Sequence, residues 1–199
     1  MILRAKLRMG QLPEHVDCSL AYPLYAWLLS HISSEDGNRL HEQGARPIHQ
    51  YLSDNPKTKE CWWMVHLLND ETAGLFAPIL ENTKEARLHS GVIYFTSCEL
   101  EQIDTPYTFI QRAANLSLDR RFPLEFLTPT SFRQSGRYVI FPQESLILQS
   151  LITHWGMCFP EMPLDDTDAF VAMQQGLHIV DYRLQTLRYP LKLSLIHIS

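Results

Sequence analysis

Glycine is scarce in this chain: there are eight in 199 residues and none after Gly176. No GxGxxG, no GxxxxGK[ST] and no GxSxG appears, which removes the dinucleotide fingerprint, the P-loop phosphate cradle and the serine-hydrolase elbow. The cysteines Cys18, Cys61, Cys98 and Cys158 stand singly, without a CxxC or a Cys–His pair at zinc spacing, and read as buried free thiols rather than a metal set. Long apolar runs are missing too. Arg4, Lys6 and Arg8 interrupt the first apolar stretch, so no signal-type segment opens the chain. Nothing later is long enough to span a bilayer, and the expectation is a soluble cytoplasmic protein. Internal repeats and low-complexity tracts are absent as well.

What is present is ample core material, 45% hydrophobic with 11% aromatic, enough for one large domain or two small ones. The net charge of -5 argues against an indiscriminate nucleic-acid binder. The charges are segregated, however. Arg4, Lys6 and Arg8 precede the first acid at Glu14; Arg112, Arg120, Arg121, Arg133 and Arg137 outnumber Asp119 and Glu125; acids gather at Asp165, Asp166 and Asp168. That pattern fits a local phosphate-binding face on an acidic body.

Residues 2–9 alternate, with Leu3, Ala5, Leu7 and Met9 against Arg4, Lys6 and Arg8, predicting a half-buried strand with one basic face. Leu20, Leu24, Trp27, Leu28 and His31 then recur at helical spacing, with Ser19 as the expected N-cap. Residues 34–37 are expected to break this helix, and 38–43 to add a turn closed by Gly44. Residues 47–52 are an ambiguous short segment, 61–68 a strand, and Asp70 the expected cap of a helix through Leu80. Residues 88–100 predict one strand bent at Gly91. This succession of strand, helix, strand, strand, helix, strand implies a four-stranded antiparallel sheet covered on one face by two helices, the ferredoxin-like arrangement.

After a connector over residues 104–115, a second unit opens: strand 122–128, a polar turn, strand 137–141 and helix 143–155, then a helical turn over 167–174 and an alternating strand over 178–189. The unit is short of strands. Residues 193–199, LSLIHIS, match the peptide that a transposase adapter used in short-read library preparation encodes in one frame. Genuine sequence is therefore expected to end near Lys192, with the C-terminus missing. The expected domains are 1–110 and 116–192, with 193–199 an artefact.

The run TPTSFRQSGRYVIFP over residues 128–142, followed by a proline-started helix, resembles the C-terminal region of the CRISPR-associated endoribonucleases that cut precursor CRISPR RNA, of the repeat-associated mysterious protein (RAMP) superfamily. The first half is similar too, in the apolar helix with Tyr22-Pro23-Leu24-Tyr25-Ala26-Trp27 and the following Arg39-Leu40-His41-Glu42. The resemblance covers about residues 1 to 190. It implies an α+β protein with tandem ferredoxin-like (RRM-like) domains, the second incomplete, and cleavage of an RNA repeat without a metal or other cofactor. The family's glycine-rich C-terminal loop, which contacts RNA, does not occur in the sequence; the missing C-terminus accounts for it on this reading.

Metal-independent RNA cleavage needs a group to take the 2′-OH proton as that oxygen attacks the adjacent phosphate, a group to protonate the leaving oxygen, and a cation for the phosphorane charge. Histidine suits the first two roles. Among nine histidines, His41 stands at the family's histidine position and is the expected general acid or base, with Arg46 as the supporting cation and His49 as backup. His31, His66 and His154 read as structural, and His197 as part of the adapter. Arg120, Arg121, Thr130, Ser131, Arg133, Gln134 and Arg137 are the expected RNA contacts. The expected partners are CRISPR repeat RNA and other effector subunits. A non-catalytic RNA-binding subunit of an effector complex and an unrelated ferredoxin-like module are the competing readings.

Overall fold

The computed structural model describes residues 1–10, 20–42, 47–55, 58, 60–115 and 121–185, the side chains of 41, 42, 103, 104 and 113 excepted. The chain divides into two compact units, residues 1–123 and 124–199.

In the first unit β1 (Ile2–Met9), β2 (Ile48–Asn55), β3 (Glu60–Leu67), β4 (Glu85–Leu88) and β5 (Gly91–Asp104) form one antiparallel sheet in the order β2-β3-β1-β5-β4. Helices α1 (Ala21–Leu29) and α3 (Asp70–Asn82) are the two βαβ crossovers. The strands β2, β3, β1 and β5 are the ferredoxin-like core that the element succession implied, and β4 adds a fifth at the edge. The ambiguous segment after Pro47 is thus a full edge strand.

Alternation sets the core. Ala5, Leu7 and Met9 of β1 and Cys61, Trp63, Val65 and Leu67 of β3 face Leu24 and Leu28 of α1 and Ala73, Phe76 and Leu80 of α3. Trp63 stacks on Phe95 (centroids 5.9 Å) and meets Trp27 edge-on (6.3 Å), while its indole N–H donates to Gln50 Oε1 at 2.9 Å. Burial pushes the thiols of Cys61, Cys98 and Cys158 up, and all three are free. Cys18 and the expected cap Ser19 lie outside the described residues.

Three local expectations are corrected. Residues 34–37 do not break a helix; they start α2 (Ser34–Glu42), because Ser33 and Asp36 cap it reciprocally, Asp36 N–H donating to Ser33 Oγ (3.1 Å) and Ser33 Oγ to Asp36 Oδ2 (2.6 Å). Helix α3 is capped by Asn69 rather than Asp70: its side chain accepts from the Thr72 N–H at 2.9 Å. Residues 88–100 are not one bent strand, since β4 turns into β5 at Gly91, whose φ of +134° opens a reversal that a β-branched residue would not tolerate. The connector contains a full helix, α4 (Pro106–Asn115).

The second unit holds a hairpin, β6 (Phe132–Gln134) and β7 (Arg137–Val139), and helices α5 (Glu144–Cys158) and α6 (Thr167–Gly176). Ser135 and Gly136 have φ of 50° and 79°, the two-residue turn whose twist matches the flanking strands. Helix α5 buries Leu146, Ile147 and Cys158, and the Trp155 indole donates to the Met162 carbonyl at 2.7 Å. Two expected strands are not formed within the described residues, and residues 186–189 of the second lie outside them. Residues 122–128 and 178–185 keep their apolar side chains largely exposed and have no ladder partner among the described residues; an apolar run or an alternation marks a surface fit for pairing but supplies no partner. The latter segment is held instead by the Ile179 N–H donating to Glu144 Oε1 (2.9 Å), which keeps that carboxyl below its usual range, and by Tyr182 edge-on to Phe141 (5.8 Å).

Replacing Trp63 with alanine should destabilise the first unit by about 3–5 kcal/mol, read as a lower denaturant midpoint. Nothing stands within 4 Å of a Cβ built on Gly136. Gly136→Val should therefore cost roughly 1 kcal/mol or more through backbone conformation alone, with loss of cross-strand NMR contacts between Arg133 and Tyr138 as the check.

Candidate functional site

His41 lies in the last turn of α2, directly after Leu40, which is buried in the core and fixes the register of that turn. Arg39 ties the helix down from outside, its Nη2 on Asp36 Oδ1 and its Nε on Glu71 Oε1 of α3, both at 2.8 Å. The backbone bearing His41 is thus held at both ends, by the Ser33 cap and by the Leu40–Arg39 anchor. The His41 side chain and all of Arg46 lie outside the described residues. Of the histidines expected to be structural, His31 is exposed rather than half-buried, because it follows α1 instead of continuing it; its ring packs on Trp27 (4.2 Å) and its Nδ1 lies 2.8 Å from the Trp27 carbonyl. His154 rests similarly on the Ser150 carbonyl, at 2.7 Å.

The sheet face turned away from the helices carries the basic residues of β1, but it is not a basic face. Arg4 Nη2 meets Glu101 at 2.6 Å, Lys6 reaches Glu101 at 3.4 Å and Glu99 at 4.0 Å, and Arg8 pairs with Glu60. These carboxylates come from neighbouring strands at or near the opposing register positions, so the face is neutralised in place. The Arg4 hydrogen bond holds the Glu101 carboxyl below its usual range. The Arg8 guanidinium also sits 6.0 Å from the Trp62 ring centroid.

His49 lies exposed on this same face, directly opposite His66 of β3. Tyr51 stacks on His66 with centroids 5.9 Å apart and planes 15° from parallel. Burial, then the Arg4 charge, then His49 push His66 below its ordinary pKa.

In the second unit the hairpin brings together three of the expected RNA contacts. Arg133 is opposite Tyr138 and Gln134 opposite Arg137, so Arg133 and Tyr138 share one face. Phe132 and Val139, on the other face, are half-buried, with Phe126 edge-on to Phe132 (6.5 Å). Thr130 and Ser131 lead into β6, the Thr130 hydroxyl donating to the Thr128 carbonyl at 2.9 Å. Arg121, Arg133 and Arg137 are exposed and make no ion pair among the described residues. That is the reverse of β1, where every cation has a carboxylate. Arg120 lies outside the described residues. Among those described, no three His, Cys, Asp or Glu side chains gather to hold a metal ion, and no helix is long and apolar enough to cross a membrane.

Sequence reasoning missed the row formed by His49, His66 and Arg4, which exists only through the β2-β3-β1 register. The nearest signal was the placement of all three at polar positions of alternating strands.

The chain is similar to known proteins in sequence and in fold. The family model for CRISPR-associated endoribonuclease Cas6 matches residues 124–186, which hold the hairpin and α5 and α6. The CRISPR-associated endoribonuclease Cas6 of Streptococcus thermophilus is 27% identical over 176 residues, 87% of this chain and 70% of that protein. Its counterpart from Mycobacterium tuberculosis is 32% identical over 137 residues, 67% of this chain but 43% of that protein. Among solved structures, a Cas6 product complex has a TM-score of 0.62 at 22% identity, covering 85% of this chain and 68% of that one. The product complex of a second Cas6 protein has a TM-score of 0.60 at 21% identity, covering 87% and 71%. These neighbours carry the α+β, tandem ferredoxin-like class for the chain. By family model in the second unit, by sequence through both units and by fold over most of the length, the chain is similar to the CRISPR-associated endoribonuclease Cas6 proteins.

Proposed function

We propose that this protein is a metal-independent endoribonuclease that cleaves precursor CRISPR RNA within its repeats to release guide RNAs. The observation that carries the reading is the similarity to a Cas6 endoribonuclease over 176 residues, which spans the α2 helix bearing His41 as well as the RNA-holding hairpin. In this mechanism the ribose 2′-OH attacks the adjacent phosphorus and the bond to the 5′ oxygen of the next nucleotide breaks. The products are a 2′,3′-cyclic phosphate and a 5′-OH. His41 moves a proton, as base toward the 2′-OH or as acid toward the leaving oxygen, and Arg46 supports the charge on the phosphorane. His49 is the backup for His41.

Arg133, Arg137 and Arg121 carry positive charge without carboxylate partners among the described residues, which suits them to phosphate, and Gln134, Thr130 and Ser131 add donors and acceptors for base edges and the 2′-OH. Arg120 belongs to the same group. Tyr138, exposed beside Arg133, offers a ring on which an unpaired base can stack. The partner is CRISPR repeat RNA, with other effector subunits as further partners, and the work is done in the cytoplasm.

Incubated with its cognate repeat RNA in EDTA, the protein should yield a 5′ fragment ending in a cyclic phosphate. His41→Ala should slow single-turnover cleavage by about 10²- to 10⁴-fold; equal rates would remove His41 from the chemistry. Tight binding with intact RNA from the unaltered protein would instead identify a non-catalytic RNA-holding subunit. Arg133→Ala and Arg137→Ala should each weaken binding and lower the salt-dependence slope by about one phosphate contact.

A further inference from the structure

The stretch from His41 to Arg46 is tied at each end to one place, the start of α3. It leaves α2 at Glu42 and re-enters the described residues at Pro47. On the α2 side, Arg39 places its Nε 2.8 Å from Glu71 Oε1 in the first turn of α3, while its Nη2 holds Asp36 of its own helix at the same distance. On the far side, the carbonyl of buried Pro47 accepts the Leu68 N–H at 2.8 Å, one residue before the Asn69 cap of α3. The buried Thr72 hydroxyl, 2.8 Å from Asn69 Oδ1, lies 3.5 Å from the same carbonyl.

The two ties differ in kind. The Pro47 end is a backbone bond, fixed by the course of the chain, whereas the α2 end depends on side chains. A nine-residue helix is marginal by itself, Gly37 lies inside this one, and Leu40 is the one buried residue among its described side chains. A single apolar contact sets the depth of the last turn and leaves it free to swing. The planar Arg39 guanidinium removes that freedom, because its fork grips Asp36 behind it and Glu71 across from it at once. Asp70, the neighbouring acid, is taken up by the Met1 ammonium at 2.6 Å, which leaves Glu71 to meet α2. With side chains 49% and 33% exposed, the Arg39–Glu71 pair adds little to stability. A displacement of about 1 Å at a reacting group, by contrast, costs on the order of 10²-fold in rate. The bridge therefore matters for geometry more than for folding.

We propose that Glu71 of α3 is a positioning residue of the cleavage site: through Arg39 it sets where the last turn of α2, and with it the His41 backbone, stands relative to the Pro47 end beside Arg46. Glu71 does this without touching RNA or moving a proton. The inference rests on the reading of His41 and Arg46 as the proton-transfer group and the cation of a repeat-RNA endoribonuclease. It adds to that reading a residue outside the chemistry, on an element that carries none of the expected site residues.

The test follows single-turnover cleavage of the repeat RNA with the full chain in saturating excess. Binding is measured beside it on the same RNA with 2′-O-methyl groups throughout, which removes the attacking hydroxyl and keeps every phosphate. Glu71→Gln should lower the saturated rate constant by about 10- to 10²-fold, with the dissociation constant and its salt slope at wild-type values. A misfolded fraction lowers the effective protein concentration but not the saturated rate constant, so a wild-type rate constant at saturation overturns the proposal. Arg39→Gln should lose about as much, and the double variant no more than either, as coupled partners do; losses that simply add overturn the pairing. Arg39→Lys, which keeps the charge without the fork, should lose less than Arg39→Gln. If Arg39→Gln weakens binding and flattens the salt slope while Glu71→Gln changes nothing, Arg39 is an RNA contact and the proposal falls. Failure of the wild type to cleave overturns the functional reading itself, and a second arm then judges the tie without activity. In the free protein, Glu71→Gln should speed amide hydrogen exchange at Leu40 and leave Phe76 and Leu80 of α3 unchanged; unaltered exchange at Leu40 overturns the tie.

Discussion

The indole of Trp63 ties the first unit together: stacked on Phe95 of β5, edge-on to Trp27 of α1 and hydrogen-bonded to Gln50 of β2, it links its own strand to two others and to the covering helix. Because it is fully buried, its N–H had to find an acceptor inside the core, and Gln50 on the edge strand provides it. That bond fixes β2 against β3, and with it the positions of His49 and Tyr51 two strands' width from Arg4. Placement of polar side chains on the open face thus depends on an aromatic contact on the closed one.

Features set by near neighbours in sequence were legible before the structure. The alternation of β1, the periodicity of α3 and α5 and the glycine turn of the hairpin each follow from a few adjacent residues. Features set by distant partners were not. The glutamates that neutralise β1 stand at positions 60, 99 and 101, and nothing near Arg4, Lys6 or Arg8 in sequence announces them. The apolar run 122–128 and the alternating segment 178–185 are not strands for the same reason, since an apolar pattern gives a surface and only another strand gives a ladder. Gly37 obscured the start of α2, where the Ser33–Asp36 cap outweighs one glycine within the helix. For the candidate site, the hairpin arginines could be read from composition and turn chemistry, while the histidine row required register.

Strand β1 and the hairpin hold their cations in different ways. Those of β1 are each matched by a carboxylate and partly covered; those of the hairpin stand in solvent without one among the described residues. In the first case the charge organises the sheet, and in the second it remains available to a ligand.

The difference sets an order of events for any polyanion approaching a chain of net charge -5. At distances beyond a Debye length of about 8 Å, paired charges cancel and only unpaired ones steer. Among the described residues the hairpin arginines, with Lys84, Arg121 and Arg183, are exposed cations without an ion pair and act at that range, whereas the paired cations of β1 act only at contact. Ionic strength would therefore weigh more on contacts made by the hairpin cations than on contacts made by β1.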